Sequence, residues 1–340
     1  MKALVKTGKG RESVKLLDLP IPEPKDDEVQ IKVMACGICG TDVHIMNEGY
    51  KHTVPVTLGH EFTGIVTKKG KDVTNLELGD QVVALSAQRT CCSCRYCRKG
   101  DFVHCVKKQS IGIDLPGGMA EYLCTTATRT FKVPESCVGS DIVSLTEPLA
   151  CCTRAVMENS TIHPGDVVLV SGPGVIGMLC AQLAKVCGAF VIMTGVPADT
   201  DRLKLAKKLG VDVTNDDPSK VKEIVEQYAP DGADHIIECS GNARSLITAL
   251  DVVRKEGSFT QVGMYGRDVE VPMDTIVRKE LTVTAGFSQA RSTWELALKL
   301  IGQGRIDLED LISVRLPLAD WEKAFDLFNQ KTENKILLIP

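Results

Sequence analysis

Cys39 and the pair His60-Glu61 put a thiol, an imidazole and a carboxylate into one short reach of chain. A catalytic zinc takes about three protein ligands and keeps one position open for water or substrate. Cys39 and His60 supply two of them, and their separation calls for an intervening fold rather than one local loop. The third is a carboxylate, either Glu61 or the later Glu147. Thr41 and His44 follow Cys39 by two and five residues. That spacing lets a hydroxyl reach a metal-bound oxygen and an imidazole carry the proton outward. Taken alone, Thr41 also suits a turn and His44 a surface position. Asp42 fits the role of an orienting neighbour better than that of a catalyst.

A second set, Cys91, Cys94, Cys97 and Cys105, has two, two and seven residues between successive members. Four thiolates so spaced close a tetrahedral shell with no open position, which makes this a structural zinc site. Cys92 is left over, either a bystander or a substitute for Cys91. Arg95 and Lys99 stand nearby to offset the negative charge.

The third group is Gly172-Pro173-Gly174-Val175-Ile176-Gly177, preceded by the apolar run Val167 to Val170 and followed by a helical pattern at Val175, Leu179, Leu183 and Val186. A bare glycine motif says little, but strand, turn and helix together make a dinucleotide fingerprint. Its first glycine turns the chain, the second admits a pyrophosphate, and the third lets helix pack on strand. The acid that normally reads the ribose hydroxyls is missing, because Gly195 stands where it belongs after Thr194. Gly195 permits a 2′-phosphate but does not attract one. Arg202 would, but Asp199 and Asp201 flank it and oppose it. One of these aspartates, swung toward the ribose, replaces the missing acid. The expected cofactor is NAD(P), with NAD favoured.

The runs Cys39-Gly40-Thr41-Asp42-Val43-His44 and Gly59-His60-Glu61-Phe62-Thr63-Gly64, with the cysteine cluster, resemble the zinc-dependent medium-chain dehydrogenases over nearly the whole chain. Glu147-Pro148-Leu149 and Thr293-Trp294 look most like the polyol (sorbitol) branch. The resemblance implies a chaperonin-10-like (GroES-like) catalytic domain and two zinc ions per chain, one catalytic and one structural. It also implies that Cys39 and His60 bind the catalytic zinc, with Glu61 and Glu147 each binding directly or through water. Thr41 would pass a proton through the cofactor ribose to His44, and the chain would form a homodimer or homotetramer.

These groups need elements to hold them. At 340 residues the chain suggests about two domains. Short strands, with alternation at Val29, Ile31 and Val33 and again over residues 81–84, make residues 1–153 a β-rich catalytic domain. Pro20, Pro22 and Pro24 mark an extended connector. Strands near residues 190–194, 233–238 and 257–262 alternate with helices near 202–209, 221–228 and 243–253. That order makes residues 154–290 a doubly wound parallel sheet of the Rossmann kind, so the fold class is α/β. Ser292-Thr293-Trp294-Glu295 reads as a capping box opening a helix, and Leu318, Trp321, Ala324, Phe325 and Phe328 share one face of another. Residues 291–340 return to the catalytic domain by resemblance alone.

Forty basic and 44 acidic residues leave a net charge of -4, which argues against a nucleic-acid or membrane partner. The amino terminus carries no signal-peptide pattern, and the fourteen cysteines fall into metal-site spacing or apolar sites. A cytoplasmic protein with reduced thiols is expected. The expected function is oxidation of a secondary hydroxyl of a polyol or sugar derivative, with hydride passing to the nicotinamide. Loops at 47–57, 111–118 and 289–292 would line the substrate pocket. Two alternatives stand beside it. Cys39 to Ile45 also suits an L-threonine-type amino-acid dehydrogenase, against which Glu147-Pro148-Leu149 weighs. An inactive nucleotide-binding or structural relative would have no use for Cys39, Thr41, His44, His60 and Glu61 together.

Overall fold

The computed structural model describes residues 1–340, which divide into two units. One comprises Met1–Pro148, Gln289–Gly304 and Leu308–Pro340, and the other Leu149–Ser288 with Arg305–Asp307. Beside the breaks expected at 153 and 290, the chain changes unit after Pro148 and again after Ser288. The first change falls inside the helix Thr146–Thr153, where unbroken helical periodicity leaves no mark in the sequence.

The ten-residue strand Glu28–Gly37 organises the first unit. Val29, Ile31, Val33 and Ala35 are buried on it, following the period of two that a strand imposes. It pairs antiparallel with Glu61–Lys69, Tyr122–Thr126 and Lys335–Ile339. The sheet continues through Gln81–Ala84 and Thr130–Lys132 on one side and Ile312–Pro317 on the other. A smaller sheet joins Val14–Asp18, Lys2–Lys6 and Val56–Thr57. Register matters for function here. Gly37 lies opposite both Glu61 and Leu337, so the end of the central strand meets the start of one neighbour and the middle of the other.

Leu4, Ile31, Phe62, Leu123, Phe325 and Ile336 share the core of this unit. The helix Trp321–Gln330 presents Trp321, Ala324 and Phe325 to that core. Burying a side chain of such size contributes about 1.5–3 kcal/mol. Residues 19–25 lie outside any strand, as their prolines dictate, and Pro22 O accepts a bond from Gln30 Nε2 at 2.7 Å.

One cap differs from expectation. The helix starts at Arg291 with Ala290 as its N-cap, so Ser292 lies inside it and is not the N-cap. Thr293 Oγ1 accepts from Ala290 N at 3.0 Å, and Glu295 accepts from Arg291 Nε at 2.9 Å. Alanine has no side-chain oxygen, so only the returning half of a capping box forms.

The second unit holds six parallel strands. Their order is Val213–Asn215, Phe190–Thr194, Val167–Ser171, Ala233–Glu238, Val253–Gln261 and Thr282–Ala285. In chain order this runs third, second, first, fourth, fifth, sixth, with a helix after each of the first five. Such a sheet reverses direction of winding beside its first strand, and ligands bind at the carboxyl ends there. The strand expected from Gly257 begins at Val253. Its pairing breaks between Ala233 and His235, and Glu256 takes a φ of 56°, so unbroken pairing starts only at Ser258. Leu169, Ile192, Val225, Ile236, Leu246 and Phe259 form the core. No helix of the chain is long and apolar enough to cross a membrane.

Candidate active site

The strand Glu28–Gly37 delivers Cys39 to the N-cap of the helix Gly40–Met46. Asp42, fully buried, holds this turn from inside. Its Oδ2 accepts from Cys39 N at 2.9 Å. Its Oδ1 accepts from Gly59 N at 3.3 Å and lies 3.6 Å from His60 Nδ1. Gly59 has a φ of 92°, and a Cβ there would come within 2.6 Å of Cys36 Sγ. A glycine is required at this turn, which carries the chain into His60.

Ligand atoms of Cys39, His60 and Glu61 lie within 4.8 Å of one another. Thiol, imidazole and carboxylate together suit zinc. Burial works against a charged His60, yet Asp42 and Cys39 beside it hold its pKa well above the ordinary histidine value. Such surroundings favour a cation. Glu61 Oε2 receives Lys335 Nζ at 2.6 Å, and the same ammonium donates to Ile38 O at 3.1 Å. Both side chains are buried. The Glu61 carboxylate also lies over Gly37, where a Cβ would come within 2.4 Å of Oε2.

Glu147 is buried close by but stands outside that three-residue group. Gln289 Nε2 donates to its Oε1 and also to Ser86 Oγ at 3.2 Å. Burial, helped by the charge of Glu61, raises the Glu147 carboxyl to about 7 against the pull of His60, Lys335 and Gln289. Thr41 Oγ1 lies 3.7 Å from Cys39 Sγ. His44 is exposed at the end of the same short helix, and its carbonyl accepts from Gly49 N at 2.7 Å. Lys335 escapes a reading of the sequence, and Gln289, expected in a pocket-lining loop, shows there no sign of its bond to Glu147. The only sign of Lys335 is a charged residue opening the apolar run Ile336 to Ile339.

Cys91, Cys94, Cys97 and Cys105 bring their sulfurs together. Separations are 3.5 Å for Cys94–Cys97, 3.6 Å for Cys91–Cys105 and 3.9 Å for Cys91–Cys97. A tetrahedron with metal–sulfur bonds of about 2.3 Å has edges of about 3.8 Å, so the spacing fits zinc. It does not fit disulfides, whose sulfurs are about 2.05 Å apart. Backbone amides point at the sulfurs: Cys91 N at Cys105, Cys94 N at Cys91, Cys97 N at Cys94. Donation from Ser93 and Cys94 draws the Cys91 thiol down to about 5, whereas burial and the other sulfurs push Cys97 up to about 11. Cys92 is exposed at a φ of 54° with its sulfur 3.8 Å from Thr90 Oγ1, and does not replace Cys91. Arg129, set over the Phe102 ring at 4.2 Å, interacts with the charges of Cys97 and Cys105, and Arg95 lies over Tyr96.

In the second unit the three glycines differ in what surrounds them. A Cβ at Gly172, whose φ is 96°, would fall 2.9 Å from Ser240, and one at Gly177 would fall 2.0 Å from Gly172 O. Gly174 faces open space as N-cap of the helix Val175–Val186, with Val175 and Ile176 half-buried in its first turn. Two glycines for close packing and one for close approach are what a pyrophosphate needs at a helix N-terminus. Glu238, fully buried, ties the next turn by accepting from Ser240 N at 2.9 Å and Gly241 N at 3.0 Å. At Gly195 the neighbouring side chain is Asp199, whose Oδ2 accepts from Val196 N at 3.1 Å. Arg202 Nη1 lies 3.9 Å from Asp199 Oδ1.

Residues 25–135 match the alcohol dehydrogenase GroES-like domain, and residues 175–303 the zinc-binding dehydrogenase family. The D-arabitol-phosphate dehydrogenase of Enterococcus avium is 36% identical over 345 residues, covering 99% of this chain and 97% of its own. The sorbitol dehydrogenase of Halalkalibacterium halodurans is 36% identical over 343 residues, covering 100% and 99%. An L-threonine 3-dehydrogenase of Bacillus velezensis is 34% identical over 350 residues, covering 100% and 99%. Among solved structures, a zinc-binding dehydrogenase of Sinorhizobium meliloti bound to NADP superposes with a TM-score of 0.90 at 33% identity, covering 100% of this chain and 99% of that one. With both halves matched by these families and relatives aligned end to end, the chain belongs to the zinc-dependent medium-chain dehydrogenases, in their polyol branch.

Proposed function

We propose that this dehydrogenase oxidises a secondary hydroxyl of a polyol or sugar derivative, with NAD(P) as hydride acceptor. The observation that carries the reading is the convergence of Cys39, His60 and Glu61 within 4.8 Å. Zinc held by Cys39, His60 and a carboxylate supplies a Lewis acid that acidifies a substrate hydroxyl, while the nicotinamide accepts hydride. Glu61, within the group and fixed by Lys335, is the carboxylate we assign to the metal. Glu147, held by Gln289, serves from the outer side. Asp42 orients His60 and the Cys39 turn together. Thr41 Oγ1 takes up the substrate proton as it passes its own hydroxyl proton on toward His44, which, exposed at the end of the helix, releases a proton to solvent. A second zinc holds the loop of Cys91, Cys94, Cys97 and Cys105.

Polyol substrates find support in the two 36% relatives, one named for an arabitol phosphate and one for sorbitol. The threonine reading keeps the support of its 34% relative. Fourteen free cysteines suit a reducing, cytoplasmic setting. A homodimer or homotetramer is in keeping with the edge strand Thr282–Ala285, where Val283 is exposed. The test is a panel of polyols, polyol phosphates and L-threonine, each with NAD and with NADP. Turnover confined to L-threonine would replace the polyol reading.

A further inference from the structure

The second strand of the dinucleotide-binding sheet ends at Thr194, and the residue after it has no side chain. An acid at this point normally accepts the adenosine ribose hydroxyls and repels a 2′-phosphate. The space beside Gly195 is nonetheless filled. A Cβ built there would lie 3.0 Å from Asp199 Oδ2, 3.0 Å from Pro173 Cγ and 3.1 Å from Asp199 Cβ. The carboxylate of Asp199 therefore packs directly against the point where a side chain from 195 would begin. The amide of Val196 fixes it at 3.1 Å, and the short turn Pro197–Asp199 brings it back over the strand end.

The two aspartates that the sequence leaves equivalent are not equivalent in the fold. Asp201 pairs with Lys204 at 2.8 Å, and its side chain is 94% exposed. Asp199 is 22% exposed and also faces Arg202, a cation of the kind a 2′-phosphate needs, at 3.9 Å. Asp199 thus offers acceptors to a diol and at the same time sets a negative charge against Arg202.

We propose that Asp199 is the cofactor-specificity residue of this enzyme: displaced four residues along the chain from the usual acid, it reads the adenosine ribose diol and favours NAD, and Gly195 is the vacancy it requires. The assignment rests on the dinucleotide reading given above. It makes Gly195 and Asp199 a matched pair, so an acid restored at 195 competes with Asp199 for one volume. Removing Asp199 takes away the carboxylate that lies 3.9 Å from Arg202.

Fluorescence titration of the whole enzyme with NADH and NADPH tests this without turnover. Asp199→Asn should weaken NADH about tenfold or more, the loss expected when charged acceptors to a diol are removed, and leave NADPH unchanged or tighter. Gly195→Asp alone should weaken NADH, and Gly195→Asp with Asp199→Ala should restore it. Arg202→Ala added to Asp199→Asn should cancel any gain in NADPH. An unchanged NADH/NADPH ratio in Asp199→Asn overturns the proposal, whatever Gly195→Asp does to folding. So does tighter NADH binding in Gly195→Asp with Asp199 in place. If the parent binds neither nucleotide, the dinucleotide reading itself falls, and the proposal with it.

Discussion

Lys335 Nζ lies 2.6 Å from Glu61 Oε2, joining residues 274 positions apart. The two come from strands on either side of Glu28–Gly37, and the carboxylate crosses over Gly37 to reach the ammonium. Burial opposes a charged lysine, but Glu61 and Cys39 raise the Lys335 pKa above its ordinary value. Lys335→Met strips a buried carboxylate of its partner, which typically costs about 3–5 kcal/mol. Urea unfolding should move to lower concentration and the isolated protein should carry less zinc. A midpoint and zinc content equal to the parent's would show that the pair holds nothing.

The four-cysteine loop makes a separate prediction. Cys94→Ser should lower the zinc content from about two ions per chain to about one and reduce the melting temperature, because a closed shell that loses a thiolate no longer holds the loop. Elemental analysis beside a thermal melt measures both. A Cys94→Ser protein with parental zinc and melting would remove the structural site.

Thr41 and His44 are assigned to the proton, and general acid–base groups are worth about 10²- to 10⁴-fold in rate. Thr41→Val should slow oxidation more than His44→Ala, since it cuts the path at its first atom while His44 stands at the exposed end. The His44→Ala defect should be largest at low pH and partly relieved by buffer bases. Rates unchanged across pH in both variants would take these residues out of the mechanism.

His235 gives the second unit its own pH dependence. It is buried with Nε2 3.4 Å from Asp166 Oδ2. Burial lowers its pKa below the ordinary value, with Arg254 and His163 in support and Asp166 and Asp234 opposing. The unfolded chain, with a histidine near about 6.5, then binds the proton more readily than the fold does. Stability is full above that value and falls as pH drops through it toward the lower folded pKa. Unfolding midpoints at about pH 7.5 and 5.5 should converge for His235→Gln relative to the parent. An equal shift in both proteins would contradict this.

Spacing made the four-cysteine loop and the glycine fingerprint legible, because each lies within one short stretch and needs few alternatives weighed. The period of the apolar residues gave most strands and helices of the second unit for the same reason. Lys335, Arg129 and the Glu147 partnership of Gln289 are not legible, since each depends on residues brought together only by sheet register or loop packing. The serine–threonine motif names a helix start only to within a turn, so Ser292 falls inside the helix and Thr293 bonds back to Ala290. Asp199 and Asp201 look alike in sequence. Only the path of the Pro197–Asp199 turn separates the one over Gly195 from the one on Lys204.

Cys39, His60 and a carboxylate are assigned the zinc on which hydroxyl oxidation depends. The initial rate of nicotinamide reduction by a polyol in His60→Ala, using protein whose nucleotide binding matches the parent's, decides this. Loss of nearly all turnover, with about one zinc per chain retained in the cysteine loop, is the predicted result. A His60→Ala enzyme that oxidises the polyol at the parental rate would contradict it.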